Sequence, residues 1–221
     1  MSLSVPPGQM LAIIGLSGAG KSTFLRCVNR LVEPTSGIML VEGRNVVRAD
    51  FRQLRQGIGM IFQQFNLVKR LSVLKNVLTG RLACVPVAAS WFHRFSPEDV
   101  DIAFDCLQRV GIEDKAYDRA DNLSGGQQQR VAIARALAQR PRIMLADEPV
   151  ASLDPETSRV VLGYLRQINQ DDGITTIVNL HQLEYAREYA DRIIGFRHGQ
   201  VVFDGAPGEV NEDVYQTIYV A

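Results

Sequence analysis

Cysteine is scarce. There are three in 221 residues, Cys27, Cys84 and Cys106, an odd number with no C-x-x-C pair. A disulfide framework and the usual zinc spacings are therefore not indicated, and free thiols in a reducing compartment are expected. Long apolar runs are also missing. The longest, Met10–Gly20 and Leu82–Phe92, are about eleven residues and contain Gly or Pro, whereas a bilayer-spanning helix needs about 20. No Lys or Arg precedes Lys21, so the basic start of a secretory signal is lacking. Neither sign of charge is in excess, with 24 Lys plus Arg against 24 Asp plus Glu. That argues against nucleic acid as a partner and against a polybasic membrane anchor. No internal repeat, low-complexity tract or long linker is present. A soluble cytosolic chain is implied, one that works at a membrane only by docking onto another protein.

What is present is ordinary globular composition, 46% hydrophobic and 22% charged, at a length that supports one domain with a full core. Short apolar runs at Met10–Gly15, Gly59–Phe62, Ile143–Ala146, Ile174–Leu180, Ile193–Phe196 and Val201–Phe203 predict strands. Helical patterns cover Lys21–Leu31, Pro97–Val110, Gly125–Gln139 and Pro155–Asn169. Ser96 before Pro97, Glu98 and Asp99 is a helix start. The alternation predicts an α/β core with a mainly parallel sheet. Residues 72–139 carry helices and no convincing strand, so they read as a helical subdomain inserted into a core made of 1–71 and 140–221. This block holds an irregular insert with the only tryptophan, Trp91.

Gly15–Ser22 reads G-L-S-G-A-G-K-S and fits G-x-x-x-x-G-K-[ST] between an apolar strand and a helix. Glycines let the backbone turn its N–H groups onto a phosphate, and the helix start adds partial positive charge. Lys21 supplies a full charge, and the Ser22 hydroxyl is a hard oxygen ligand for Mg²⁺. The candidate nucleotide contacts are Gly15, Ser17, Gly18, Ala19, Gly20, Lys21, Ser22 and Thr23.

Ile143–Ala146 is followed by Asp147 and Glu148, two carboxylates at the strand end where α/β sheets gather ligands. Asp147 is placed to hold Mg²⁺, and Glu148 to orient or deprotonate water. Alone, they read better as two solvated acids, but a phosphate loop whose Mg²⁺ needs a second anchor makes that the weaker reading. Leu123–Gln127 reads L-S-G-G-Q. Ser124 and Gln127 form a capping box, but Gly125 and Gly126 are poor first-turn residues. Exposed N–H groups there allow a phosphate or another backbone to approach. One solution is that Ser124–Gly126 of one subunit closes over the triphosphate on Gly15–Ser22 of another.

Together these motifs resemble the ATP-binding subunits of ABC transporters, over nearly the whole chain and in the family's order. The resemblance implies a P-loop NTPase core with a mainly parallel sheet, an antiparallel β part and an inserted α-helical subdomain. It also implies ATP and Mg²⁺ as ligands, a head-to-tail homodimer, two membrane permease subunits and, indirectly, an extracytoplasmic substrate-binding protein. The location implied is peripheral, at the cytoplasmic face of the bacterial inner membrane. Gln63, in F-Q-Q-F-N-L, resembles the glutamine that touches Mg²⁺ and water, with Gln64 the adjacent alternative. Asp154 in A-S-L-D-P resembles the loop that crosses the dimer interface, although Asp before Pro155 is also a helix cap. His181 in V-N-L-H-Q resembles the histidine that contacts the γ-phosphate. His93 and His198 lack such context. The implied reaction is ATP hydrolysis, with Glu148, His181, Gln63 and Lys21 as catalytic groups. Ser22, Gln63 and Asp147 are the implied metal contacts, and Ser124, Gly125, Gly126, Gln127 and Asp154 meet nucleotide across the interface.

Within that family the chain most resembles phosphonate importer ATPases, through F-N-L-V-K-R-L-S-V-L-K-N-V-L-T-G, the Trp91–Phe92 insert, D-E-P-V-A-S-L-D-P-E and L-H-Q-L-E-Y-A-R-E-Y-A-D-R-I. Importers of polar amino acids share F-Q-Q-F-N-L and are the alternative. Members usually begin about twenty residues earlier with an aromatic residue that stacks on adenine, whereas residues 1–14 contain no Phe, Tyr or Trp. Either the start is truncated or the base is held differently, and weaker ATP binding with poor base discrimination is expected. Soluble ABC ATPases of translation, with two such domains per chain, or of repair, with a coiled-coil insertion longer than residues 72–139, fit less well. A phosphate-loop kinase leaves Leu123–Gln127 unexplained.

Overall fold

The structure is a computed structural model and describes residues 2–84 and 95–220. The Trp91–Phe92 insert and His93 lie outside the described residues. In chain order the elements are β1 (Met10–Ile14), α1 (Lys21–Val28), β2 (Leu40–Val41), β3 (Arg44–Asn45), α2 (Phe51–Gln56), β4 (Ile58–Ile61), α3 (Val73–Leu78), α4 (Pro97–Arg109), α5 (Gly125–Ala138), β5 (Ile143–Asp147), α6 (Pro155–Asp172), β6 (Thr175–Asn179), α7 (Leu183–Tyr189), β7 (Arg192–Arg197), β8 (Gln200–Gly205) and α8 (Glu212–Tyr219).

Six strands form one sheet in the order β4-β5-β6-β1-β7-β8. From β4 to β7 the neighbours run parallel, and β8 lies antiparallel to β7 at the edge. β1 and β6 are buried along their whole length, as parallel strands covered on both faces must be. The carboxyl ends of β1, β5 and β6 lie side by side, because Asp147 opposes Asn179 and Ile13 opposes Asn179 in register. β2 and β3 make a separate antiparallel hairpin. Its turn residues Glu42 and Gly43 both have positive φ, 51° and 74°, as do His198 and Gly199 between β7 and β8, 47° and 75°. That turn geometry matches the twist of paired strands and gives His198 a structural place.

Two apolar clusters flank the sheet. On one face Met10, Ala12 and Ile14 pack with Val77 of α3, Leu107 of α4, Ile133 of α5 and Val161 of α6. On the other, Leu11 and Ile13 pack with Leu25, Val41, Leu54 and Phe196. The helical stretch after residue 72 thus shares a core with the sheet. Arg81 fastens it further, donating to Asp99 Oδ1 at 2.8 Å and to the Ala138 carbonyl at 3.0 Å. Burial alone would raise the Asp99 carboxyl, but Arg81 and Ser96 hold it below the usual carboxylate range.

Some expected boundaries move. α1 stops at Val28, short of Leu31, because Asn29 caps it and Arg30 turns left-handed at φ 49°. α6 runs past Asn169 to Asp172 and ends on left-handed Gly173, φ 64°. Ser96 caps α4 as its sequence predicts, and both Ser96 and Ser124 close reciprocal capping boxes, of which the sequence reading predicts only the second. The hairpin and the short helices α2, α7 and α8 are additions to the sequence reading.

Candidate nucleotide site

The phosphate loop follows β1. Gly15 has φ 146°, and a Cβ on it would lie 2.2 Å from the Phe196 carbonyl oxygen on β7. No side chain fits there. Gly18 and Gly20 have φ 79° and 101°, and Gly18 faces open space. Gly20 caps α1 without any side-chain bond, so the helix's first N–H groups stay available to an anion. The Ala19 carbonyl accepts from Gly199 N at 3.0 Å, anchoring the loop to the β7–β8 turn. Lys21 opens the helix and is only 4% exposed. Its Nζ folds back over the loop and donates to the carbonyls of Gly15 and Leu16 at 2.8 and 3.0 Å. Burial lowers the Lys21 pKa, while the nearby charges of Glu148 and Asp147 oppose that shift. Ser17 and Thr23 are exposed beside the loop.

Ser22 Oγ donates to Asp147 Oδ1 at 2.7 Å. Asn179 Nδ2 donates to the same oxygen at 2.8 Å, and Arg26 Nη2 lies 3.7 Å from Asp147 Oδ2. The carboxylate is thus held from three sides. A serine hydroxyl touching a carboxylate is a donor pair suited to Mg²⁺. Among the described residues no group of three or more His, Cys, Asp or Glu could hold a metal unaided. The remaining ligands would come from phosphate oxygens and water, the usual habit of Mg²⁺ at nucleotides.

Glu148 follows with φ 53°, an uncommon backbone state for a non-glycine residue that clusters at functional sites. Its Oε1 lies 2.6 Å from His181 Nε2. The two residues border a cleft of about 130 Å³ with Asn179, Gln182 and Tyr185. Behind His181, the Tyr219 hydroxyl donates to the His181 carbonyl at 3.3 Å. The structure therefore brings together Lys21, Ser22, Asp147, Glu148 and His181. Sequence reasoning missed Asn179, Arg26 and Tyr219. Asn179 carried one signal, a polar residue at the end of the apolar run I-T-T-I-V-N.

Other expected site residues stand apart. Gln63 and Gln64 follow β4, exposed and without hydrogen bonds among the described residues. Arg135 of α5 holds that loop two residues on, donating to the Phe65 and Asn66 carbonyls at 3.0 and 2.6 Å. Ser124 is exposed at the start of α5, with its Oγ accepting from Gln127 N at 3.3 Å. Gly126 also has a packing role within the chain. Gly126 is buried, and a Cβ on it would lie 2.2 Å from Thr157 Cγ2. Packing of α5 against α6 within the chain already requires this glycine, while Gly125 meets only Leu153 and Phe65 at van der Waals distance. Asp154 caps α6, its Oδ1 accepting from Thr157 N at 2.9 Å.

A phosphate loop at a central parallel strand, with an acidic pair ending the strand two places away, defines the class: a nucleotide-binding P-loop ATPase core. Residues 1–151 match the ABC transporter family. The phosphonates import ATP-binding protein PhnC 3 of Halalkalibacterium halodurans is 57% identical, covering 99% of this chain and 86% of that protein. The phosphonates import ATP-binding protein PhnC of Thiobacillus denitrificans is 54% identical, covering 97% of this chain and 83% of that one. Among solved structures, a dimeric ATP-binding cassette in a post-hydrolysis state bound to ADP and Pi superposes with TM-score 0.80 at 37% identity, over 93% of this chain and 88% of the other. CbiO1 of Clostridium perfringens, part of an ABC transporter complex, gives TM-score 0.84 at 29% identity, over 97% and 84%. This chain belongs to the ABC transporter family, and the family and fold expected from its motifs are borne out.

Proposed function

We propose that the chain is the ATP-hydrolysing subunit of an ABC importer for phosphonates, working with separate permease subunits. The substrate assignment rests on the identity of 57% over 99% of the chain to a phosphonates import protein. Among the described residues no helix is long and apolar enough to cross a membrane, which supports attachment through partners. The working unit is a head-to-tail homodimer on two permeases, at the cytoplasmic face.

The mechanism follows from the grouped side chains. Backbone N–H groups of Gly15–Ser22 and the Lys21 ammonium hold the phosphates, with Nζ leaving the Gly15 and Leu16 carbonyls to do so. Ser22 and Asp147 hold Mg²⁺, which when bound neutralises charge on the phosphate oxygens. Glu148 takes a proton from the attacking water, and His181, in contact with that carboxylate, fixes its direction and reaches the γ-phosphate. Positioning and preorganised charge supply most of the rate, as expected for phosphoryl transfer. Gln63 reports the state of the site to the helical stretch that follows it. Ser124, Gly125, Gly126 and Gln127, with Asp154, meet the nucleotide held by the other copy. The exposed Ser124 cap is the surface this reading needs.

The single observation that carries the hydrolytic reading is the 2.6 Å Glu148–His181 contact beside the 2.7 Å Ser22–Asp147 contact. The test is Glu148→Gln in the assembled transporter in proteoliposomes. Turnover and phosphonate uptake should be lost while ATP is still bound. Turnover at the native rate would remove Glu148 from its role, and a wild-type transporter that takes up amino acids but not phosphonates would overturn the substrate.

A further inference from the structure

Asn179 carries an oxygen that its surroundings do not use. It ends β6, directly opposite Asp147 on β5, and is fully buried at 0% exposure. Its amide can point only one way. The NH₂ end donates to Asp147 Oδ1 at 2.8 Å, and a carboxylate has no proton to offer the other end. The carbonyl end, Oδ1, has no hydrogen-bond partner among the described residues. A buried acceptor left without a donor is destabilising, and proteins commonly satisfy it with a bound water. Here the residue lines the cleft shared by Glu148 and His181. At about 130 Å³ the cleft has room for water, and Glu148, His181, Gln182 and Tyr185 join Asn179 in putting polar groups on a lining that is otherwise apolar.

We infer that Asn179 Oδ1 accepts a hydrogen bond from the water that attacks the γ-phosphate. This deepens the hydrolytic reading above and rests on it. Asn179 and Glu148 then hold one water by its two protons. The water proton that faces Glu148 passes to its carboxylate as the new P–O bond forms and the bond to the leaving ADP oxygen breaks. The water proton that faces Asn179 Oδ1 stays with the water oxygen and leaves in the phosphate. Because Nδ2 is fixed on Asp147, the metal-holding carboxylate and the water are set by one side chain, so movement of the first repositions the second.

The experiment has two parts. The first is a crystal structure of the full chain with Mg²⁺ and a non-hydrolysable ATP analogue. A water within hydrogen-bond distance of both Asn179 Oδ1 and Glu148 is expected. Oδ1 bonded instead to a protein group, the nucleotide or the metal would overturn the inference. The second compares Asn179→Val and Asn179→Thr. At saturating Mg²⁺ and ATP, kcat of the valine variant should fall about tenfold, the scale of one lost hydrogen bond. Nucleotide affinity should change about twofold or less, and the threonine hydroxyl should restore part of kcat. A folded valine variant with native kcat overturns the inference, as does one whose loss disappears when Mg²⁺ is raised, since that marks a role through Asp147 alone. If the valine variant does not fold, the crystal structure decides. Glu148→Gln separates the two readings. Its native turnover would sink the hydrolytic site itself, whereas its loss beside an active valine variant would sink only the role of Asn179.

Discussion

Two glycines of the phosphate loop share a left-handed backbone but differ in surroundings, and this separates their expected effects. Gly15→Ala puts a Cβ 2.2 Å from the Phe196 carbonyl, while Gly18→Ala meets nothing within 4 Å. Both substitutions pay the backbone strain of a side chain at positive φ, about 1–2 kcal/mol. Only Gly15→Ala must also push β1 from β7, an overpacking cost of about 1–3 kcal/mol. At about 2–4 °C per kcal/mol for a chain of this size, Gly15→Ala should melt about 2–12 °C below Gly18→Ala. Differential scanning calorimetry without nucleotide measures this. Nucleotide binding by titration calorimetry should weaken in both, because both reshape the loop. Equal melting temperatures would refute the claim that Gly15 is fixed by the neighbouring strand.

Gly126→Ala should destabilise through the Thr157 methyl group, and Thr157→Ser in the same chain should recover most of the loss in urea unfolding. An additive double variant would show that α6 is not the cause. Asp99→Asn should cost about 3–5 kcal/mol at neutral pH by unpairing buried Arg81. The folded-state pKa of Asp99 is depressed, so the stability it contributes is present above the ordinary carboxylate pKa and is lost as pH falls through the folded value. The gap between wild type and variant, followed by chemical unfolding, should therefore be full near pH 7 and narrow below about pH 4. A gap that widens on acidification would contradict the assigned pair. Ser22→Ala should raise the Mg²⁺ concentration needed for half-maximal turnover with little change in Tm, because Asp147 keeps its bond from Asn179. An unchanged Mg²⁺ dependence would remove Ser22 from the metal.

The parallel core was legible because its strands are continuous apolar runs and its long helices begin on strong caps, Ser96, Ser124 and Asp154. The hairpin at Leu40–Val41 and Arg44–Asn45 was not, since two-residue strands carry no periodicity. α8 was hidden in the same way, its one fully buried residue being Ile218. Lys21, Ser22, Asp147, Glu148 and His181 were readable from motif chemistry. Asn179 was not, because its importance depends on strand register, which places it against Asp147 across 32 residues of sequence. The packing role of Gly126 was not legible because its neighbour Thr157 belongs to a helix whose packing is set only by the tertiary fold. Arg81 carried no signal in the sequence, because its partners Asp99 and the Ala138 carbonyl lie 18 and 57 residues away.

The central claim is that each nucleotide is enclosed by the phosphate loop of one copy and the Ser124–Gln127 cap of another. Mixing two inactive chains tests it most directly, one Lys21→Ala and the other Gly125→Trp. If sites are shared, each heterodimer owns one intact site, and random pairing should restore about a quarter of wild-type hydrolysis. A mixture that forms heterodimers yet stays inactive would contradict the account.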